Sequence, residues 1–336
     1  MLFLADSDLH LLISVSYIKK IKSADYIIIW TGSEKSFVYN YLKNNNNIIF
    51  FNKQNINFFN VEKINSWFEK RFHDIQFNSI ATFYDTDHVF EFLKFKLKIP
   101  WNKVFLVDDG IASTYKVSMP KLYRRLPKAI YNLFLGRFQV NLSYYSLGSN
   151  KKIKNFITIF PDFIHFYNKD STIIDVLQDY KKLLSELSSN YFKKYKFNSF
   201  SGSIITLSPV LKYKRQTPQY VYKYLKNLTS YCDKSKPIYI KPHPRDDKET
   251  LIKIINKLEI SINIIESQVP LELFFDKIDN SIFIGMPSTS FCIRSILYPN
   301  SDDSIIIIKE RNDPFPERIS VLENIFKAHR INYKIL

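Results

Sequence analysis

VFLVDDGIAS, residues 104–113, opens as four apolar residues and breaks without transition into two aspartates and a glycine. An apolar run with no polar alternation is the pattern of a strand covered on both faces, and such strands belong to parallel sheets flanked by helices. Two other stretches share the design. IYIKPHPRDD, residues 238–247, ends its run in Lys241 and then sets His243 between Pro242 and Pro244. IFIGMPSTSF, residues 282–291, runs into Gly285 and then Pro287, Ser288, Thr289 and Ser290.

Outward from these stretches, short β-branched runs alternate with amphipathic helical patterns. Strands are expected at 2–5, 25–30, 47–51, 79–84 and 103–107, with helices at 9–20, 35–43, 61–71 and 88–96 between them. The segment 172–197 reads as one long helix with Ile173, Val176, Leu177, Tyr180, Leu184 and Leu187 on one face, a connector or a dimer-forming element. Alternation then resumes, with strands near 203–207, 237–241, 262–265, 281–285 and 303–308. Thr217 and Pro218 open one helix as cap and first-turn proline, and Asp246 with Glu249 reads as a capping box for another. The fold class is α/β with two Rossmann-like domains facing a central cleft. Residues 1–150 form the first, 151–200 a helical connector, and 201–336 the second.

A chain of 336 residues with 46% hydrophobic residues suits two such domains. No apolar run approaches the length of a membrane span, and MLFLADSDLHLL meets acid too early for a signal peptide, so a cytoplasmic protein is expected. Cys232 and Cys292 both fall in apolar helical patterns and read as core filler. The net charge of +16 asks for an anionic partner. Abundant Lys, Ile, Asn, Tyr and Phe are equally the mark of an AT-rich coding sequence, so the charge alone identifies no function.

In parallel α/β domains ligands gather at the carboxyl ends of the strands, and all three quoted stretches place their polar residues there. Each has an ordinary reading taken singly. An acidic pair after a strand is more often a turn or helix cap, a histidine between prolines a rigid turn, and Ser288 a helix cap. With six glycines, no GxGxxG and no Walker loop, a dinucleotide or ATP cradle is unsupported, yet Gly110 and Gly285 sit at strand ends, where backbone can approach a ligand.

Taken in order along the chain, Asp108-Asp109-Gly110, His243-Pro244 and Ser288-Thr289 resemble the motifs of bacterial sialyltransferases, most closely the lipooligosaccharide and capsule enzymes of glycosyltransferase family 52. The resemblance implies a GT-B fold and CMP-sialic acid as donor. It also implies a galactose-type acceptor on a surface glycan, inversion at the anomeric carbon, and no cofactor or essential metal. A sugar hydroxyl needs a carboxylate to take its proton, which suggests Asp109 as base, with like-charge crowding from Asp108 making the pair readier to accept it. His243, stiffened by its prolines, is then the acid for the departing CMP phosphate. Ser288 and Thr289 at a helix start would hold that phosphate. Lys241 would contact the nucleotide, Glu272 the ribose or cytosine, and Ser208 the nucleotide side.

Other readings stand beside this one. Asp85-Thr86-Asp87 spells a metal-binding DxD, or else caps the helix beginning at His88. Asp6-Ser7-Asp8 with His10 follows the first strand, where this fold class lines the acceptor side. His73, His88, His165 and His329 lack metal-ligand spacing and read as structural. Residues 116–137 interleave Lys121, Arg124, Arg125 and Lys128 with aromatic and aliphatic side chains. They suit either an anionic membrane surface on the inner face of the cell membrane or a solvated helix. The same scaffold admits another CMP-nonulosonate or a UDP-hexose. Basic residues, including the KYKR cluster at 212–215, allow a nucleic-acid-binding protein, but they are spread over both halves and no nucleic-acid motif accompanies them.

Overall fold

The computed structural model describes residues 1–44, 46–52, 63–83, 88–110, 152–163, 171–195, 200–207, 217–244, 246–299, 301–309 and 317–336. Ser208, the Asp85–Asp87 tripeptide, His165, the basic segment 116–137 and the 212–215 cluster lie outside them. The chain divides into two compact units, Met1–Leu183 and Leu184–Leu336.

In the first unit, seven strands run in chain order among the described residues: β1 (Leu2–Ala5), β2 (Ile27–Trp30), β3 (Ile48–Phe50), β4 (Ile80–Thr82), β5 (Val104–Val107), β6 (Asn155–Thr158) and β7 (Thr172–Asp175). They form one sheet in the order β3-β2-β1-β4-β5-β6-β7, and the pairings are parallel. Helices α1 (Asp8–Ile21), α2 (Phe37–Leu42), α3 (Lys63–Phe72) and α4 (His88–Lys96) are the crossovers. Burial on both faces explains the unbroken apolar runs: Leu2, Phe3, Leu4 and Ala5 of β1 are all buried. On one face they meet a core of Phe68, Phe72, Phe77, Phe90 and Leu93.

The second unit repeats the plan with β8 (Ser203–Thr206), β9 (Ile238–Lys241), β10 (Ile262–Ile264), β11 (Ile282–Gly285), β12 (Ser304–Ile307) and β13 (Asn332–Ile335). Its order is β10-β9-β8-β11-β12-β13, again parallel. Helix α5 (Leu177–Tyr195) precedes β8, and α6 (Pro218–Thr229), α7 (Lys248–Asn256), α8 (Thr289–Leu297) and α9 (Glu317–Ala328) follow in turn. Two parallel sheets in one chain are two Rossmann-like domains.

Three boundaries differ from the sequence reading. The first sheet does not stop near residue 150: Phe105, Leu106 and Val107 pair with Asn155, Phe156 and Ile157, and β7 extends the edge. The long helix therefore begins at Leu177, and Ile173, placed on its apolar stripe, is instead exposed on the edge strand. Of the rest of that stripe, Val176, Tyr180, Leu184 and Leu187 are buried and Leu177 is half-buried. Thr217 caps α6 as expected, its side chain accepting from Tyr220 N. The cap of α7, however, is Asp247, accepting from Glu249 N at 3.2 Å, because Asp246 is engaged elsewhere.

One buried ion pair fixes the second unit behind its strand ends. Arg294 of α8 pairs with Asp303 and donates to Phe275 O at 2.7 Å and Ile278 O at 3.2 Å, while Asp303 Oδ1 accepts from Ser281 N at 2.9 Å. Truncating one partner strands the other charge in the interior. Arg294→Ala is expected to lose about 3–5 kcal/mol of stability in urea unfolding. An unchanged midpoint would show that the pair holds nothing.

Candidate active site

Both sheets reverse direction of growth beside their first strand, between β1 and β4 in one and between β8 and β11 in the other. Crossovers leave such a point toward opposite faces, which opens a crevice at the carboxyl ends. The sequence motifs fall there.

In the first unit β5 ends in Asp108 and Asp109, which have opposite fates. The register Val107↔Ile157 brings Asp108 beside Thr158. Asp108 is 0% exposed; its Oδ2 accepts from Thr158 Oγ1 at 2.6 Å and its Oδ1 from Gly110 N at 2.8 Å. Gly110, at φ 68°, takes the left-handed turn that a side chain disfavours. Asp108 is thus the internal clasp of the turn. Asp109 points the other way, with its side chain 35% exposed.

Asp109 Oδ1 lies 2.7 Å from His10 Nε2. His10 comes from the first turn of α1, which Ser7 caps by accepting from His10 N. The ring crosses the end of β4 to reach Asp109, resting on Phe83 with ring centroids 4.0 Å apart and planes 13° from parallel. Its other nitrogen, Nδ1, is 2.9 Å from Asp6 Oδ1, close enough for charge attraction though outside hydrogen-bond alignment. Burial works against the charged ring, but the hydrogen bond to Asp109 and the negative charges of Asp109 and Asp6 outweigh it and push its pKa up to about 9. A buried imidazolium between two partly exposed carboxylates is the outcome. Sequence reading noticed His10 with Asp6 and Asp8 but gave it no role, since nothing in the spacing ties residue 10 to residue 109. Thr158 had no signal at all, lying in the segment read as connector.

In the second unit, β9, β8 and β11 are neighbours, so with strands about 4.8 Å apart the ends of β9 and β11 stand roughly 10 Å from one another. His243 follows β9 and is half-buried, with Pro242 buried before it and Pro244 exposed after it. Asp246 closes this turn: its Oδ2 accepts from His243 N at 3.2 Å and its N–H donates to His243 O at 2.9 Å. Lys241 is buried, and its Nζ donates to Pro242 O and Ser267 O, each at 3.0 Å. That ammonium braces the loops.

After β11, Ser288 caps α8, its Oγ accepting from Ser290 N at 3.3 Å, and Thr289 begins the helix. Ser290 Oγ donates to Glu272 Oε1 at 2.6 Å, which joins Glu272 to the serine/threonine motif across eighteen residues. Gly285 is buried with no room for a side chain: a Cβ would stand 2.3 Å from Thr206 Oγ1 and 2.7 Å from Thr206 O. The neighbouring strand, whatever binds nearby, requires glycine there. Among the described residues no group of three His, Cys, Asp or Glu is arranged to hold a metal ion, and no helix is long and apolar enough to cross a membrane.

Comparison with known proteins gives the geometry a family. The profile of the family described as Alpha-2,8-polysialyltransferase (POLYST) matches residues 1–301. No curated protein matches the sequence. Among solved structures, the chain is similar to a Staphylococcus aureus MnaA–UDP co-structure at 11% identity and TM-score 0.48, covering 98% of this chain and 86% of that one. It is similar to Escherichia coli ADP-heptose lps heptosyltransferase II at 10% identity and TM-score 0.41, covering 100% and 89%. A family 9 glycosyl transferase from Veillonella parvula gives 9% and 0.40, covering 100% and 84%. Values this low bear on neither donor nor acceptor. The profile match supports the sialyltransferase reading without extending to family 52. With residues 1–301 of its 336 matched, this chain belongs to the alpha-2,8-polysialyltransferase family and is a glycosyltransferase.

Proposed function

We propose that the enzyme transfers sialic acid from CMP-sialic acid to a terminal sugar of a bacterial surface glycan, with inversion and without an essential metal. The observation that carries the reading is the division within the acidic pair. Asp108 is locked inside the turn while Asp109 presents its carboxylate at the carboxyl-end crevice. As the acceptor oxygen bonds to the anomeric carbon, Asp109 takes the hydroxyl proton; as the bond from that carbon to the phosphate oxygen breaks, His243 in its imidazolium form gives a proton to the departing CMP. Each proton has one source and one destination.

The supports for the nucleotide are chosen on the same basis. The Ser288 cap uses an oxygen lone pair, which leaves its O–H proton to donate, and the start of α8 adds the positive end of a helix dipole. Glu272, held by Ser290, would receive ribose hydroxyls or the cytosine amine. Thr289, Pro244, Gly110 and Gly285 shape these turns. The galactose-type acceptor implied by the motifs competes with a second one favoured by the family match. An α2,8 linkage is made on the 8-hydroxyl of a terminal sialic acid. In either case the base has the same task.

Asp109→Ala and His243→Ala should each lower kcat by about a hundredfold or more in transfer from CMP-sialic acid, offered with galactose-ended and sialic-acid-ended oligosaccharides, while thermal unfolding stays near that of the native chain. Near-native turnover in either variant removes that residue from the mechanism. CMP should raise the melting temperature, since a ligand of the folded state stabilises it, and UDP or ADP should do so less. Chelation with EDTA should leave the transfer rate unchanged; its loss would return attention to Asp85 and Asp87.

A further inference from the structure

We infer that His10 is the positioning residue for the base: a ring clamped between Asp6 and Asp109 that fixes the Asp109 carboxylate and, as an imidazolium, offsets its charge during transfer. The inference rests on the reading of Asp109 as base and goes beyond it by assigning a residue that none of the sequence motifs includes.

Three observations carry it. The contact is short and direct, 2.7 Å from ring nitrogen to carboxylate oxygen, and the ring is 2% exposed, so water does not compete for it. Phe83 supports the ring face, and Ser7 fixes its backbone, so its aim is set by packing. Finally, both nitrogens face carboxylates, an environment that favours the doubly protonated form.

Charge counting shows what this does for the reaction. Two carboxylates and one imidazolium leave the trio at −1, and capture of the hydroxyl proton by Asp109 brings it to zero. With a neutral ring the resting trio would be at −2 beside an anionic donor, which repels the substrate and lets Asp109 swing. Helix α2 and strands β1, β5 and β6, the elements packed on α1, present few other titratable groups. Tyr39 stacks on Trp30 and Tyr41 on Phe37; Asp108 is turned toward Thr158; Asp8 accepts from Ser36. On α1 itself Tyr17 lies against Phe3, and Lys19 and Lys20 stand in the last turn. Among the described residues, Asp6 and Asp109 are the charges at the ring.

Because the ring's pKa is raised from 6.5 to about 9, its charge and the stability it brings are complete below about pH 6.5 and are lost as pH rises through about 9. The test is the ratio of wild-type to His10→Gln kcat, measured in CMP-sialic acid transfer across pH. Glutamine keeps a donor near Asp109 but has no charge to lose. The ratio should be about tenfold or more at neutral pH, with donor KM little changed, and should fall toward one through about pH 9; dividing the two rates cancels ionisations common to both enzymes. A ratio that stays flat with pH, or a variant as fast as the native enzyme, overturns the inference.

Asp109→Ala, assayed in parallel, separates the two ideas. If that variant remains active the base reading fails, and if it is inactive while the ratio is flat only the role of His10 fails. Should His10→Gln not fold, nitrogen-15 NMR of the histidine rings in the intact wild-type chain decides. Both His10 nitrogens should carry protons near neutral pH with a midpoint near 9, and the midpoint should fall in Asp109→Asn. A ring neutral at that pH overturns the inference.

Discussion

Parallel strands buried on both faces allow this chain very few places for chemistry. Every strand must be reached by a crossover, and the helices that make the crossovers cover both faces of each sheet. What remains uncovered is the row of strand ends, and it is widest where β1 meets β4 and where β8 meets β11, since there neighbouring crossovers diverge. Asp6, His10 and Asp109 gather at the first of these points; Thr206, His243, Glu272 and Ser288 gather around the second. Residues far apart in the chain become neighbours because topology leaves them nowhere else to face solvent.

Within that frame a two-residue period separates tasks. Consecutive side chains at a strand end point to opposite sides, so one aspartate of the pair is drawn inward to Thr158 and the other outward to His10. The inward one stiffens the turn that aims the outward one. A single aspartate could not do both, because a carboxylate turned inward to Gly110 N and Thr158 Oγ1 does not face His10. The same economy appears after β9, where Asp246 closes the histidine turn and Asp247 caps the next helix.

Most of the two sheets was legible in the sequence because their inner strands are continuous apolar runs. The strands missed are those without such runs. β7, TIID, and β13, NYKI, are edge strands with largely exposed side chains, and β6, NFIT, opens and closes on polar residues. Ile173 then fell into the helical period of α5 and pulled its start forward. The site was legible as motifs and not as contacts. Adjacent acids at 108–109 and 246–247 look alike in a sequence; backbone dihedrals and the next strand over decide which one bonds to what. The His10–Asp109 pair spans two strand positions, and no local spacing announces it.

The bracing of the loops by Lys241 has a consequence for how the nucleotide side can recognise its ligand. An ammonium already coordinated by two carbonyls serves as a strut, its donors turned to the loops that it joins. Recognition by hydroxyls, peptide N–H groups and an aligned helix is short-ranged and angular. On the proposed reading, a site built that way selects by the direction of lone pairs more than by total anionic charge.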